Sequence, residues 1–475
     1  MPVNDQLTAL DATFLELEQA DDSALMHIGG ALVFESLAGG GTPTTDRMRE
    51  HLEQRLDLLP RYRQKLGTPR TGGLAWPSWE PDERFDIEAH TRHATLPPPG
   101  DEREFLDWIS DFYSHRLDRS RPLWEMVLLD GLEDHRWALV WKTHHCLVDG
   151  VGSVDVAHLL LDSERVPSEP YGLSQVPEPT SGSEDVLRAW LPHPPEPVRQ
   201  AVGVGLAAVH STAHALMHPR EALERSRAVL DLLVRNELVS APRSSLNVPI
   251  GATRQIATVH VQLEELKAIR SALGGTVNDV VLCAATGALR ELLLGRGEDP
   301  PSQGLRAMVP VNIRREGEQL GNKIASLFID LPVAESDPLR RYEQVRRASQ
   351  KGKAGGQALG TGALIGLTEL APPVLHAGLA RSLYAKRLFN VTITNVPGPL
   401  NRLYAFGAPM VDVVPIVPLA ADHALGIAVV SYDGQLTFGL CADRAVVPDL
   451  DLFKDATLMC LLELARLAHA TAAVC

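Results

Sequence analysis

The stretch His144-His145-Cys146-Leu147-Val148-Asp149-Gly150 follows an apolar run at Trp137–Trp141 and precedes another at Val151–Leu161. The pattern predicts a buried strand that carries the histidine pair to the end of a sheet, followed by a turn and a helix. Because successive side chains of a strand point to opposite faces, only one of the two histidines can face a given cleft. Gly150 permits a sharp turn, and Asp149 is well placed to cap the following helix.

The histidine pair admits a catalytic and a structural interpretation. Histidine has an ordinary pKa of about 6.5, which suits proton transfer near neutrality, whereas a histidine at a strand end is usually a hydrogen-bonded structural residue. A metal site is disfavoured, because adjacent strand histidines diverge and no nearby HExxH or Cys/His cluster completes a ligand set. Cys146 is expected to be a small buried thiol, since sequence neighbours are rarely positioned for Cys-His catalysis.

The motif resembles the HHxxxDG signature of the coenzyme A-dependent acyltransferase superfamily, which includes chloramphenicol acetyltransferase and peptide-synthetase condensation domains. Nearly the whole chain resembles one branch of it, the bacterial wax ester synthase/diacylglycerol acyltransferase family. The signal is the joint order and spacing of several segments, namely Leu10–Glu18, Met26–Gly30, Arg121–Glu125, Asn278–Val281, Pro310–Arg314 with Gly321-Asn322, Asn395–Pro399 and Ser431–Gly434.

The resemblance implies an α/β (α+β) protein made of two similarly folded chloramphenicol-acetyltransferase-like halves, with mixed sheets flanked by helices and an active-site tunnel between them. It implies transfer of a long-chain fatty acyl group from acyl-coenzyme A to diacylglycerol, a long-chain alcohol or both, giving triacylglycerol or wax ester. His145 matches the family's general base, and acyl-coenzyme A is a co-substrate, with no bound cofactor or metal. Since the acceptors are membrane-soluble lipids, we expect a cytoplasmic protein attached peripherally to a membrane or lipid droplet.

Several candidate residues have more than one expected role. They lie in the HHxxxDG motif and in the matching segment Asn278–Val281 of the second half. His144 is expected to fix the backbone or orient its neighbour, with a direct catalytic role as the alternative, and Asp149 and Gly150 are expected to hold the loop. Asn278 is either the N-cap of the helix that it precedes or a residue that orients substrate and stabilises the intermediate. Asp279, from the same match, is a candidate substrate-binding residue, although it is expected to stabilise the helix start electrostatically.

Candidate substrate-binding residues lie in other matching segments. Glu18 matches an acidic family position proposed to line the site, although most such glutamates are solvated. Trp124 either forms a wall of the acyl or alcohol channel or belongs to the core. The turn at Asn395–Pro399 is expected to position a crossing segment near the tunnel, because Pro397 and Gly398 restrict its shape; a rigid surface turn is the alternative.

Two further features concern charge. Arg340, Arg347 and Lys351 recur at helical spacing and could bind coenzyme A phosphates or anionic lipid headgroups, although a solvated charged face is favoured. The pair Asp422-His423 stands where relatives tend to have small uncharged residues. His423 therefore either alters the tunnel lining or sits at the start of a strand.

Length and composition set the broad class. A chain of 475 residues favours two domains, with predicted boundaries at 1–165 and 241–475 and a Pro/Ser-rich linker with connecting helices at 166–240. Hydrophobic content of 45% with 22% charged residues is typical of a globular protein. The net charge of −15 argues against a nucleic-acid partner.

Other sequence features bear on compartment and membrane. The five scattered cysteines predict unbridged thiols in a reducing cytosol, and the N-terminus lacks the pattern of a signal peptide. Ala201–Met217 is the most apolar uncharged stretch, but its histidines, serine and threonine favour a buried or interfacial helix over a spanning one.

Periodicity predicts the individual elements. Strands are expected at Ala31–Glu35, Met126–Asp130, Trp137–Lys142 and Gln255–Gln262, and helices at Glu102–Arg116, Leu263–Leu273 and Asn278–Leu294. A hairpin is expected over Ala424–Asp443, with a type I′ turn at Asp433-Gly434.

Two alternative functions remain open on the sequence. The first is an acyltransferase or condensation enzyme with another hydroxyl or an amine as acceptor. The second is a non-catalytic protein of the same fold that binds acyl-coenzyme A or lipid. The matches at Asn278-Asp279 and Asn395–Pro399 favour the lipid family over the first, and the intact HHxxxDG motif argues against the second.

Overall fold

The computed structural model describes residues 7–67, 77–147, 160–166, 240–312, 324–354 and 388–472. Within these ranges the helices are α1 (Ala9–Ala20), α2 (Thr45–Leu56), α3 (Glu102–Tyr113), α4 (Leu263–Leu273), α5 (Val277–Gly295), α6 (Pro338–Ala354) and α7 (Leu450–Ala472). The strands are β1 (His27–Phe34), β2 (Gln64–Leu66), β3 (Trp79–Pro81), β4 (Thr91–Thr95), β5 (Trp124–Asp130), β6 (Trp137–His144), β7 (Arg254–Gln262), β8 (Leu305–Asn312), β9 (Ile324–Leu331), β10 (Val391–Pro397), β11 (Tyr404–Ala405), β12 (Ala408–Ile416), β13 (Leu425–Tyr432) and β14 (Gln435–Asp443).

Some predicted features lie outside the described residues. They are Asp149, Gly150, the helix after them up to residue 159, nearly all of the linker region 166–240, and the apolar stretch Ala201–Met217.

The first sheet has the strand order β11-β12-β1-β6-β5-β4 and is mixed, since β4 and β5 are parallel while the other neighbours are antiparallel. Its central strand β6 is buried at every residue. Ala138 and Val140 face one core cluster, and Trp137, Leu139 and Trp141 face the other. The apolar run before the histidine pair therefore forms a strand covered on both faces.

The second sheet, β7-β14-β13-β10-β8-β9, is also mixed. The parallel pairs are β10 with β13 and β10 with β8. The predicted hairpin is confirmed as β13 and β14, whose turn residues Asp433 and Gly434 have φ values of 43° and 83°. Positive φ at both positions is what a type I′ turn requires. Helices α4, α5 and α7 pack together beside this sheet.

Several predicted boundaries differ from the structure, and two of them are wrong for identifiable reasons. β1 begins at His27 rather than Ala31, because it pairs with β6 along its whole length. α3 ends at Tyr113 rather than Arg116, because the buried Lys142 ammonium donates hydrogen bonds to the carbonyls of Phe112 and His115, at 3.0 and 2.8 Å, and caps the helix end.

The two halves of the chain are interleaved. β12 comes from the second half but pairs with β1 of the first, in the register Gly30↔Pro415. In return, α3 of the first half covers the edge strand β7. The hydroxyls of Ser110 and Ser114 accept the backbone N–H groups of Ile256 and Arg254, at 2.9 and 2.8 Å. These contacts satisfy donors that an exposed sheet edge would leave unpaired.

Gly29 is one position where this packing requires glycine. Its φ is +152°, and a Cβ there would lie 2.2 Å from the carbonyl oxygen of Trp141 and 2.4 Å from the hydroxyl oxygen of Tyr113. That hydroxyl donates a hydrogen bond to the same carbonyl. The glycine lets α3 approach the middle of the first sheet.

Considered singly, the described helices are all too short or too polar to cross a membrane. Only α4 and α5 taken together reach the length and apolar composition of a span, and they meet at a bend of 97°.

Candidate active site

β1 and β6 bring two histidines together at one end of the first sheet. His27 is paired directly with His144, and their ring centroids are 6.1 Å apart. Both residues are almost fully buried, with 2% and 1% of their surface exposed. His27 lies in the matching segment Met26–Gly30, but its role depends on a strand register that the sequence does not specify.

Glu18 of α1 inserts its carboxylate between these two imidazoles. Its Oε1 lies 3.4 Å from His27 Nε2, and its Oε2 lies 3.3 Å from His144 Nε2. The guanidinium of Arg119 also binds Oε2, and Arg116 donates a 2.9 Å hydrogen bond to the Glu18 carbonyl. With only 2% of its surface exposed, Glu18 is not solvated, so the alternative of a surface glutamate is wrong.

The electrostatics of this group follow from burial and from the contacts of the Glu18 carboxylate with His144, His27 and Arg119. Burial alone would raise the pKa of Glu18, but His144, His27 and Arg119 outweigh it and hold that pKa well below its usual range. Burial lowers the pKa of His27 to about 4, and it also lowers the pKa of His144. At neutral pH the group is therefore an ion pair of Glu18 and Arg119 flanked by two neutral imidazoles.

The proton of His144 can be assigned from its contacts. The backbone N–H of Cys146 donates a 3.1 Å hydrogen bond to His144 Nδ1, so the neutral ring carries its proton on Nε2, facing Glu18. Cys146 is itself buried, and burial raises the pKa of its thiol well above the usual value. The prediction of a small buried thiol at Cys146 is confirmed.

His145 has different surroundings from its neighbour. Its backbone N–H donates a 2.8 Å hydrogen bond to the carbonyl of Met26, and its ring stacks on Phe14 of α1 with centroids 3.9 Å apart. The residue is half-buried, whereas His144 is buried. Burial of the ring lowers the pKa of His145 to about 4, so at neutral pH the imidazole is uncharged and able to accept a proton.

A second polar group lies in the second half of the chain. Asn278 is the second residue of α5, and Asn395 near the end of β10 donates a 3.3 Å hydrogen bond from Nδ2 to its Oδ1. The N-cap of α5 is Thr276, so the alternative of Asn278 as the N-cap is wrong. Asp279 completes a capping box with Thr276: its carboxylate accepts the Thr276 backbone N–H at 2.8 Å. Asp279 thereby stabilises the helix start, and a substrate contact stays a prediction.

The turn after β10 packs against another of the matching segments. Pro397 pairs with Ser431, and the Gly398 N–H donates a 3.2 Å hydrogen bond to the Ser431 hydroxyl. A Cβ at Gly398 would lie 2.1 Å from the carbonyl oxygen of Ser431, so the close approach requires glycine. The predicted substrate-binding role of Asn395, Pro397 and Gly398 stays a prediction.

Trp124 is 3% exposed, and its indole N–H donates a 2.9 Å hydrogen bond to the carbonyl of Tyr62. The ring stacks on His90 with centroids 4.6 Å apart. These contacts account for Trp124 as a core residue, and the channel wall stays a prediction.

Three of the six basic residues of α6, Arg340, Arg347 and Lys351, lie on its exposed face. Arg347 forms a 3.2 Å ion pair with Glu343, four residues earlier. The contacts fit a solvated charged face, and phosphate binding by Arg340, Arg347 and Lys351 stays a prediction. Among the residues that the structure describes, no three His, Cys, Asp or Glu side chains are grouped to hold a metal ion.

Comparison with protein families gives two matches. Residues 7–281 match the wax ester synthase/diacylglycerol acyltransferase catalytic domain, and residues 320–464 match the C-terminal domain of the same family. A probable diacylglycerol O-acyltransferase of Mycobacterium tuberculosis is 32% identical over 458 residues, covering 93% of this chain and 92% of that protein. The O-acyltransferase WSD of Acinetobacter baylyi is 30% identical, with 93% of each chain covered.

Solved structures show the same fold. The wax ester synthase/diacylglycerol acyltransferase of Marinobacter aquaeolei VT8 matches with a TM-score of 0.67 and 28% identity, covering 98% of this chain and 100% of that chain. A variant of the starter condensation domain of rhizomide synthetase, in complex with C8-CoA, matches with a TM-score of 0.57 and 17% identity, covering 98% of this chain and 94% of that chain. The predicted class of mixed sheets flanked by helices is confirmed.

Proposed function

This chain belongs to the wax ester synthase/diacylglycerol acyltransferase family, and we propose that His145 is the general base of its reaction. The protein is an O-acyltransferase that acts on diacylglycerol, a long-chain alcohol or both. We propose a long-chain acyl-coenzyme A as the acyl donor. A related fold was solved with C8-CoA, which supports an acyl-coenzyme A as the donor class.

The proposed reaction is one direct acyl transfer. His145 removes the proton of the acceptor hydroxyl while the oxygen forms a bond to the thioester carbonyl carbon, giving a tetrahedral intermediate. The C–S bond then breaks, and the coenzyme A thiolate takes the proton from His145 as the ester is released. One imidazole thus serves as base and then as acid, and the enzyme returns to its starting protonation state.

The observation that carries this proposal is the contrast between the two histidines. His144 is buried, its Nδ1 accepts the Cys146 N–H and its Nε2 lies 3.3 Å from the Glu18 carboxylate, so both of its nitrogens face groups of the protein. His145 is half-buried and uncharged at neutral pH, and its Nδ1 is buried. This leaves Nε2 of His145 as the nitrogen proposed to meet the substrate hydroxyl.

We propose that Asn278 supplies a hydrogen bond to the substrate or to the oxyanion. The Asn395 amide donates to Asn278 Oδ1, which sets the orientation of the Asn278 amide and directs its Nδ2 donor away from Asn395. A donor that is already oriented before the intermediate forms stabilises developing negative charge without reorganisation. Asn395 would then act on the reaction through Asn278.

Peripheral attachment to a membrane or lipid droplet is also proposed. Diacylglycerol and long-chain alcohols partition into lipid, so an enzyme that takes them up gains access by binding the lipid surface. Flotation of the purified protein with phosphatidylcholine vesicles, with and without diacylglycerol, tests this. Protein that stays at the bottom of the gradient in both cases would contradict it.

The acyl transfer itself is tested by coenzyme A release from palmitoyl-coenzyme A, measured alone and with dioleoylglycerol or hexadecanol. Lipid products are resolved in parallel, and His145→Ala is the comparison variant. We expect release that depends on the acceptor, with a matching triacylglycerol or wax ester. Turnover should be lost in His145→Ala, with an unchanged thermal transition, because the substitution removes the base without emptying a large core site.

Substantial turnover by His145→Ala would remove this residue from the mechanism. No product from the wild type with either acceptor, despite binding of palmitoyl-coenzyme A, would point to another acceptor class.

A further inference from the structure

Helix α1 touches both histidines of the motif with side chains one turn apart. Phe14 stacks on the ring of His145, with centroids 3.9 Å apart and an angle of 21° between the planes. Glu18, four residues later, faces His144. Residues four apart lie on the same face of a helix. One helix face therefore meets two adjacent histidines whose side chains point in different directions.

The position of Phe14 is fixed within the protein because α1 is held at both ends. At its start, the Thr8 hydroxyl accepts the backbone N–H of Asp11 at 3.2 Å. Near its end, Arg119 binds the Glu18 carboxylate and Arg116 binds the Glu18 carbonyl. The half-buried ring of Phe14 is thus carried by an anchored helix.

The second half of the chain also supports this region. Phe14 packs against a small buried cluster of Leu17, Ala24 and Met26, and the turn residues Ala420 and Ala421 of the second half pack against the same cluster. The carbonyl of Met26 accepts the backbone N–H of His145. The cluster beside the reacting histidine is therefore closed by residues from both halves.

His423 contacts that turn and holds it against Phe389, a neighbour of the second sheet. Its ring is 2% exposed, stacks on Phe389 at 4.0 Å, and places its Nδ1 and Nε2 at 2.6 and 3.1 Å from the carbonyls of Ala421 and Phe389. Asp422 adopts a φ of 59° within the turn. The Asp422-His423 pair thus anchors the turn that presents two alanines to the cluster.

We propose that Phe14 is a positioning residue that holds the imidazole plane of His145 by stacking, and that the Ala420–Ala421 turn supports this arrangement from the second half. The proposal rests on His145 being the base. Proton transfer requires the imidazole nitrogen, the acceptor hydroxyl and the thioester carbonyl to be aligned together, so a ring free to rotate spends less time in the reactive orientation. Removing the stack should lower kcat without a matching change in KM.

The first test compares Phe14→Leu and Phe14→Tyr with Phe85→Leu as a matched control. Phe85 is also a half-buried phenylalanine of the first half that stacks on a histidine, His90, at 5.3 Å. We expect kcat of Phe14→Leu to fall by roughly 10- to 100-fold, with KM for both substrates within about threefold of wild type. The aromatic Phe14→Tyr should recover most of the lost kcat, and Phe85→Leu should retain the kcat of the wild type.

A kcat of Phe14→Leu equal to that of wild type, or reduced no more than in Phe85→Leu, would overturn the proposal. So would an effect confined to KM, which would make Phe14 a substrate contact. Thermal transitions of all three variants identify any loss of kcat that follows from unfolding.

A second measurement needs no turnover. Diethyl pyrocarbonate modifies neutral imidazole, and peptide mass spectrometry reports its rate at His145. In the wild type we expect nearly equal rates at pH 5.5 and 7.5, because burial keeps the pKa of His145 low. In Phe14→Ala the exposed ring should regain an ordinary pKa, so the rate at pH 5.5 should fall to about one tenth of that at pH 7.5. The other titratable or charged groups around the two rings, His144, His27, Glu18 and Arg119, are the same in both proteins.

An unchanged rate ratio in a folded Phe14→Ala would show that Phe14 does not cover the ring. These outcomes are separate from failure of the proposed function. Turnover retained in His145→Ala removes the base itself, whereas an inactive His145→Ala with a fully active Phe14→Leu overturns only the role of Phe14.

Discussion

Glu18 carries a charge inside the protein, and its neighbours make that burial possible. The guanidinium of Arg119 compensates the charge, and the Nε2–H of His144 faces the same carboxylate oxygen. A buried ion left without its partner is strongly destabilising, whereas an exposed ion pair contributes little. The site beneath His145 therefore depends on a residue, Arg119, that no motif contains.

Arg119→Gln should lower the free energy of unfolding by about 1.5–3 kcal/mol, the usual range for a hydrogen bond to a charged group. The side chain of Arg119 is 32% exposed, so water replaces part of the lost interaction. Arg121→Gln is the control, because its ion pair with Asp118 lies at the surface; its effect should stay below about 1 kcal/mol. Urea denaturation measures the free energy of unfolding of both variants. Equal losses would contradict the conclusion that Arg119 compensates the buried charge of Glu18.

The pH dependence of kcat/KM should lack an acid limb near pH 6.5. The pKa of His145 is about 4 because the ring is buried, so the proposed base is already unprotonated throughout the range from about 5.5 to 7.5. Activity should fall only as the pH approaches 4, where the ring takes up a proton. A profile of kcat/KM for the acyl donor against pH, with acceptor saturating, measures this, and a decline centred near 6.5 would show that the ring is solvated in the enzyme–acceptor complex.

The same depressed pKa values affect stability. His27 and His145 both have folded-state pKa values of about 4, below the unfolded value near 6.5. The unfolded chain therefore binds protons first as the pH falls. The stability that these residues contribute is complete above about pH 6.5 and is lost progressively toward pH 4.

At the scale of the element, the residues at the start of α5 divide into those that cap the helix and one, Asn278, that is proposed to contact the substrate. Thr276 and Asp279 form a reciprocal capping box, in which each accepts a backbone N–H of the other. Asn278 lies between them in sequence but binds Asn395 of β10 instead. Adjacent residues of one helix turn thus point to different partners.

Thr276→Ala and Asn278→Ala should have opposite consequences. Loss of the cap should lower the free energy of unfolding by about 1 kcal/mol and leave kcat within a few-fold of wild type. Loss of the Asn278 amide should reduce kcat by about 100-fold, as for removal of one oxyanion donor, with little change in stability. Thermal unfolding and steady-state kinetics on the same preparations decide between them. A stable and fully active Asn278→Ala would exclude the proposed contact.

At the scale of the whole molecule, the interleaved strands and helices oppose independent folding of the halves. β12 fills the place beside β1 in the first sheet, and α3 satisfies N–H groups of β7 in the second. Without β12, β1 becomes an exposed edge strand, and such edges promote association. The predicted domain boundary at residue 165 therefore does not separate two self-sufficient sheets.

A fragment comprising residues 1–165 should aggregate or remain partly folded when expressed alone, because it lacks β12. Coexpression with residues 166–475 should increase its soluble yield, since the second fragment supplies the missing strand. Size-exclusion chromatography measures the association state of the soluble fragment, and circular dichroism measures its folding, with and without coexpression. A soluble monomeric fragment with a cooperative thermal transition would show that β12 is dispensable.

Much of the fold followed from periodicity. The run Trp137–Lys142 predicted the buried β6, the pattern at Leu263–Leu273 predicted α4, and Asp433-Gly434 predicted the hairpin turn. Each of these is a local signal, in which the residues that form the element also carry its pattern. The roles of Phe14, His27 and Arg119 had no such signal, because they depend on contacts between segments far apart in the chain.

The sequence by itself determined the family, the mixed α/β class and the placement of the histidine pair at the end of a buried strand. Alternation near the strand end also predicted that the two side chains diverge, although β6 ends at His144 and His145 follows it in the turn. Only the tertiary structure decided which histidine is enclosed, because the register of β1 against β6 and the docking of α1 place Glu18 against His144 and Phe14 against His145. Register and docking arise from packing between distant segments, where burial and charge compensation are set, and no local pattern encodes them.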